Sequence, residues 1–239
     1  MRLLLVLFIL NCSYVLVSGV EKKRPIVIWQ PSHQTDTGKD FSEAATCNAI
    51  IESAMDTRPH LKEYKVWSLG KEEYHHADSG SNTMISHTTG IMDGRISGYA
   101  YELQESNKHH PKIFIAVHNN GGTKRNAIWG YIHYGDYYEK DNRELAATLI
   151  KAISDVTDLE NRGVLLDSTT GRNDYRCQVT GKLSFYSLDE NINTAPYRVL
   201  LEVGDNAASR ALLTDPKKQK LMGHALKKAL VKWMKERKL

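Results

Sequence analysis

"KIFIAVHNN", Lys112 to Asn120, decides how the rest of the chain is read. The apolar run after Lys112 is too short for an ordinary helix and suits a strand covered on both faces. Such a strand has no solvent side, so other layers must lie above and below it. Two further runs share this character, "PIVIW" (Pro25–Trp29) and "YRVLLEVGDN" (Tyr197–Asn206). "YKVWSL" from Tyr64 and "AIWGYIHYG" from Ala127 add strands.

Segments of helical period separate these runs. "SEAATCNAIIESAM" places Ala44, Cys47, Ile51 and Ala54 or Met55 on one side of a helix, and Asp40 with Glu43 three residues later reads as an N-cap and its capping partner. "IMDGRISGYAYELQESN" reads as a helix weakened by two glycines, "KDNRELAATLIKAISDV" as an amphipathic helix, and the last segment as a helix starting at Pro216. The alternation predicts an α/β single domain: a mostly parallel twisted sheet of about six strands with helices on both faces.

At 239 residues, 41% hydrophobic and 25% charged, the chain has enough length for one sizeable core. Residues 1–19, MRLLLVLFILNCSYVLVSG, carry Arg2, an almost unbroken apolar stretch, and Val17 and Gly19 at a spacing suited to signal peptidase. They read as an export signal, against the alternative of a retained membrane anchor, and residues 24–239 as the functional domain. Asn11 stands before Cys12 where lipidation needs a small residue, which argues against a lipid anchor. The expected location is periplasmic or extracellular, with no stable membrane span after processing.

The formal charge of +4 becomes slightly smaller when Arg2 leaves with the leader. This mild excess lacks the dense Lys/Arg stripe of a nucleic-acid binder. The lysines concentrate between Lys217 and Lys238, where they read as a solvated helix face. Cys47 and Cys177 are too few for a disulfide framework and are left either as one disulfide or as buried free thiols.

Three buried runs end in a residue able to do chemistry: "PIVIWQPS" leads to His33, "KIFIAV" to His118, and "YRVLL" to Glu202. In a parallel sheet the carboxyl ends of strands share one edge, beyond which ligands bind. Glu43, at the start of the helix after the first strand, reaches the same edge. Two histidines and a carboxylate are a set that zinc uses in hydrolytic sites, and a further carboxylate is what moves the proton. Singly, each has a plainer reading: a loop histidine, or a capping glutamate. Glu202 is harder to explain away, because it interrupts a run built for burial and an unpartnered buried carboxylate is costly.

These residues resemble the zinc-dependent N-acetylmuramoyl-L-alanine amidases of the amidase 3 type. "WQPSHQTD" stands where members carry Asp-Pro-Gly-His-Gly-Gly, "AVHNN" where they carry a Ser-Ile-His-Ala-Asn strand end, and "VLLEVGDNAAS" where the final strand brings its glutamate. "DGRISGYAYELQESN" resembles the family's helix with an Arg and an Asn, and "NRGV" its segment after the fourth helix. The resemblance spans Pro25 to Trp233. It implies one zinc ion held by His33, Glu43 and His118, Glu202 as general base, and hydrolysis of the amide between N-acetylmuramic acid and L-alanine in peptidoglycan or a muropeptide. A monomer is the default expectation, and the sequence does not decide the oligomeric state. The pair of glycines after the first histidine is missing, and Ser68-Leu69 replaces Thr-Arg, which puts substrate detail in doubt. The alternatives are a zinc hydrolase of another N-acyl or peptide amide, and an inactive wall-binding homologue.

Other histidines compete. His75-His76 and His109-His110 are adjacent pairs whose side chains diverge on a strand, and His60 with Glu63 falls in an apparent exposed turn. His133 is the outsider best placed to touch substrate. Gly70 to Thr89 reads as a loop long enough to be a lid or a substrate rim. In the aromatic cluster from Trp129 to Tyr138, which suits either sugar stacking or a core, Trp129 and Tyr131 are expected in the core and Tyr137 and Tyr138 outside.

Overall fold

A computed structural model describes residues 24–35, 37–67, 91–92, 95–96, 98–170 and 175–239. Residues 1–19, read as an export signal, with Cys12 among them, and the Gly70–Thr89 stretch lie outside the described residues.

Six strands form one sheet in the order β2-β1-β5-β8-β6-β7: β1 Ile26–Pro31, β2 Lys62–Lys65, β5 Ile113–Asn120, β6 Ala127–Ile132, β7 Glu160–Leu166 and β8 Tyr197–Asp205. β2, β1, β5 and β8 run parallel; β6 is antiparallel to β8 and parallel to β7. The expected mostly parallel α/β sheet is therefore present, with a reversed pair along one side. β5, β6 and β8 are buried almost throughout, as their apolar runs require.

The two faces are covered differently. Helices α1 (Glu43–Met55), α3 (Glu139–Ser154) and α5 (Pro216–Glu236) pack on Val27, Trp29, Ile115, Val199 and Leu201. α2 (Gly98–Lys108) and the irregular segment from Tyr175 to Ala195 pack on Ile28, Phe114, Ala116, Trp129 and Leu200. Successive strand residues alternate between these clusters, the period-2 consequence of the pleat. α4, a single turn at Arg210–Leu213, leads into α5.

Several sequence expectations shift. The N-cap of α1 is Ser42, whose Oγ accepts from Ala45 N, while Asp40 sits at φ 56° outside the helix. The second strand lies at Lys62–Lys65, starting before Tyr64, and Val66 N adds a bond to Trp29 O at 3.0 Å; Ser68 and Leu69 lie outside the described residues. The segment read as one long helix from Ile91 opens as paired strands, β3 Ile91–Met92 and β4 Arg95–Ile96, and becomes helical at Gly98. Asp93-Gly94, which follows Met92 in sequence and lies outside the described residues, is the dipeptide that two-residue hairpins favour, a signal the sequence reading passed over. Cys47 and Cys177 are both free and buried. Tyr137 is exposed as expected, but Tyr138 is half-buried with its ring edge-on to Tyr197. Lys227 departs from the solvated lysine face: it is fully buried and its Nζ contacts Glu63 Oε1 at 2.5 Å. Glu63 is thereby accounted for, and His60 beside it is exposed.

Candidate active site

The ladder between β1 and β5 continues past the end of β1, since Ser32 N donates to Val117 O at 2.9 Å. This carries His33, fully buried, to the carboxyl edge of the sheet. Its loop is pinned twice: Trp67 Nε1 donates to Ser32 O at 3.1 Å, and Ala44 N to Gln34 O at 2.9 Å. The second bond joins the loop to the first turn of α1, where Glu43 N also donates to Thr37 Oγ1 at 3.0 Å.

Glu43 is 1% exposed. Asn206 Nδ2 donates to its Oε2 at 3.2 Å, and its Oε1 comes within 3.3 Å of His118 Nδ1 without a hydrogen bond. The His33 and His118 rings stand edge-to-face with centroids 6.2 Å apart. His118 and Glu202 are Cα partners in the β5–β8 register, so their side chains leave the sheet on the same face, with Trp129 of β6 next to Glu202. Burial first, and then the charges of Glu43 and Glu202, push the Cys47 thiol well above its ordinary pKa, so both carboxylates act on one small region.

The structure thus gathers His33, Glu43 and His118, with Glu202 on the neighbouring strand. His118 Nε2 and Glu43 Oε1 are buried with no hydrogen-bond partner. A buried imidazole nitrogen and carboxylate oxygen left this way are of the types that zinc takes as ligands.

Two asparagines that sequence reasoning passed over hold the arrangement. Asn119 Nδ2 donates to Val203 O at 2.6 Å, while its Oδ1 accepts from Thr46 Oγ1 at 2.8 Å, locking β5 to β8 and α1. The β5–β8 register shifts between His118 and Asn120, an irregularity of the kind that re-aims side chains beside active sites. Asn206 orients Glu43 as described. Asn119 directly follows His118, and Asn206 stands four residues after Glu202, just past the strand that carries it.

His133 falls elsewhere. β6 runs against β8, so the residue after β6 lies toward the opposite edge, four residues beyond Trp129 and roughly 13 Å along the strand from Glu202. Its buried ring joins Cys177 and Asp189, with donor atoms within 4.8 Å of one another. Burial alone would lower its pKa, but the hydrogen bond and charge of Asp167, with Asp189 and Cys177 adding, raise it to about 9.

A family model described as N-acetylmuramoyl-L-alanine amidase matches residues 85–232, more than half of the chain. The match includes His118 and Glu202; His33 and Glu43 precede it. No curated protein matches. Among solved structures, the fold is similar to the catalytic domain of CwlV, an N-acetylmuramoyl-L-alanine amidase from Bacillus (Paenibacillus) polymyxa var. colistinus, with TM-score 0.58, 16% identity, and 88% of this chain and 98% of that one covered. It is similar to the N-acetylmuramoyl-L-alanine amidase of Clostridium difficile 630 with TM-score 0.60, 14% identity and coverage of 90% and 98%. The CwlD amidase from Clostridioides difficile, solved with the GerS lipoprotein, gives TM-score 0.58, 18% identity and coverage of 89% and 99%. At these identities the structures establish the fold, and the family match carries the activity: the chain belongs to the N-acetylmuramoyl-L-alanine amidase family, and is an amide hydrolase of peptidoglycan.

Proposed function

We propose that His33, Glu43 and His118 hold a single zinc ion and that Glu202 is the general base for hydrolysis of the amide between N-acetylmuramic acid and L-alanine. The observation that carries this reading is the pair of buried donors without hydrogen-bond partners, His118 Nε2 and Glu43 Oε1, at the edge where Glu202 also stands. When bound, zinc supplies Lewis acidity, polarising the scissile carbonyl and lowering the pKa of the attacking water towards about 7.

The chain's own groups do the rest. Glu202, beside His118, takes the proton that the attacking water loses and delivers it to the leaving nitrogen as the C–N bond breaks. The products are a muramoyl carboxylate and a stem peptide with a free L-alanine amine. Asn206 restrains Glu43 through Oε2 and leaves Oε1 for the ion. Asn119 keeps the ends of β5 and β8 at fixed spacing, so that base and ligand do not drift apart.

The reading extends to the whole chain: residues 1–19 as a leader removed on export, residues 24–239 as the catalytic unit, and action outside the cytoplasm as a monomer. No helix among the described residues is long and apolar enough to cross a membrane.

The test is zinc content together with product analysis on purified peptidoglycan. The parent releases stem peptides and leaves muramoyl ends. Glu202→Gln keeps its metal and loses about 10²–10⁴-fold in rate, the worth of a positioned acid–base group. Zinc without wall cleavage in the parent would point to another amide, and absence of zinc would sink the site.

A further inference from the structure

The Tyr175–Ala195 segment covers one face of the sheet with little regular structure of its own; a short 3-10 turn, Tyr186–Leu188, is its only helical piece. A cover of this kind needs something to fix it. Beneath it lie His133, from the end of β6, and Cys177 and Asp189, from the cover itself, all buried and with donor atoms within 4.8 Å of one another. Nothing in the amidase reaction uses them.

His133 and Asp189 are braced as metal ligands are. Asp167 Oδ2 takes the Nδ1–H of His133 at 2.7 Å, and the hydroxyl of Ser184 donates to the same oxygen at 2.6 Å. A histidine whose Nδ1 is held by a buried carboxylate has a fixed tautomer, and Nε2 is the nitrogen left to offer, with raised basicity. Asp189 is braced in the same way. Tyr175 Oη donates to its Oδ2 at 2.7 Å, and Asn191 donates from N and Nδ2 to its Oδ1 at 2.8 Å each. Imidazole, thiolate and carboxylate together suit zinc, and the sulfur disfavours calcium and magnesium.

We propose that His133, Cys177 and Asp189 form a second metal site, for zinc or a similarly thiophilic divalent ion, that staples the Tyr175–Ala195 cover to the end of β6. It lies toward the sheet edge opposite the one holding His33, Glu43 and His118, and it does not depend on that set binding metal.

The test uses the full chain loaded with Co2+, whose thiolate ligands give a near-ultraviolet charge-transfer absorption that a His/Glu/His set cannot produce. The parent shows this absorption and holds about two equivalents of metal. Cys177→Ser loses the absorption and keeps about one equivalent; His33→Ala keeps the absorption and also drops to about one. Asp167→Asn, nearly isosteric and outside the ligand set, keeps the absorption but binds cobalt about 10–100-fold more weakly. A folded parent with no charge-transfer absorption, or an absorption that survives Cys177→Ser, overturns the proposal. One equivalent with the absorption would contradict the His33 reading alone; one equivalent without it contradicts this proposal alone.

Discussion

Asp205 shows how one carboxylate ties the site to the stability of the fold. It is fully buried at the end of β8. Burial on its own would raise its pKa, but hydrogen bonds from Ala208 N, Thr123 Oγ1, Ala207 N and Lys124 N outweigh that effect and hold it below the ordinary carboxylate value. A folded pKa below the unfolded one means the ionised form favours the fold. That contribution is present above the unfolded pKa of about 3.9 and is lost as pH falls through the folded value. Asp205→Asn should therefore be less stable than the parent at neutral pH, with the gap narrowing below about pH 4; urea unfolding at both pH values measures it. An unchanged gap at low pH would count against an electrostatic origin. The same turn carries Asn206, which holds Glu43, so the variant should also weaken metal binding. At this scale the sequence disclosed whatever ended a buried run: His33, His118 and Glu202 each follow one. It did not disclose that His133 would meet Cys177 and Asp189, because the latter two lie on a segment with no period from which to read a direction.

Between elements, the contact of α1 with α5 sets how tightly the helical layer closes. A Cβ placed on Gly223 would stand 2.5 Å from Ile50 O and 2.7 Å from Ala54 N, which are backbone atoms that cannot swing aside. Gly223→Ala should gain about 1 kcal/mol of helix propensity and still destabilise the protein by roughly 1–3 kcal/mol net, as read from the urea midpoint. A stabilised variant would mean the helices can part freely. The same helix buries Lys227 against Glu63 of β2, which in turn accepts from Trp29 Nε1 of β1 at 3.0 Å. Removing one partner strands the other charge, so Glu63→Leu should cost about 3–5 kcal/mol, and Glu63→Leu with Lys227→Met should recover most of it. Additive losses in the double variant would rule out the pair as a unit. Helical period revealed α1, α3 and α5 because each buries one stripe. It failed for Lys227, where a charged residue lies on the buried side, and for Ile91–Asn107, where a hairpin and a helix run together. β7 escaped notice as a strand because its edge position leaves it largely exposed and without the apolar alternation that marks a strand.

In the whole molecule, the two buried clusters divide the labour. One packs three helices under the sheet, and the other seats α2 and the Tyr175–Ala195 cover above it, on the face toward which His118 and Glu202 project. Parallel strands β1, β5 and β8 bring residues distant in sequence to one edge, which is why a mostly parallel sheet could be inferred from three short runs before any pairing was known. The reversal of β6 was not legible, since a run buried on both faces looks alike in either direction. It moves His133 away from that edge and makes room for a second cluster there. Among the described residues the two clusters and the hydrophobics packed against them run from Ile26 to Leu239. With residues 1–19 removed on export, as proposed, a chain begun at Lys22 should fold with the same cooperative melt as the exported protein, bind the same metal and cleave peptidoglycan at the same rate. Thermal unfolding, metal analysis and turnover on the two proteins compare them directly, and N-terminal sequencing of the exported form should place its first residue after Gly19. A shortened chain that melts broadly or loses turnover would show that residues 1–21 contribute to the fold, and the leader assignment would have to be abandoned.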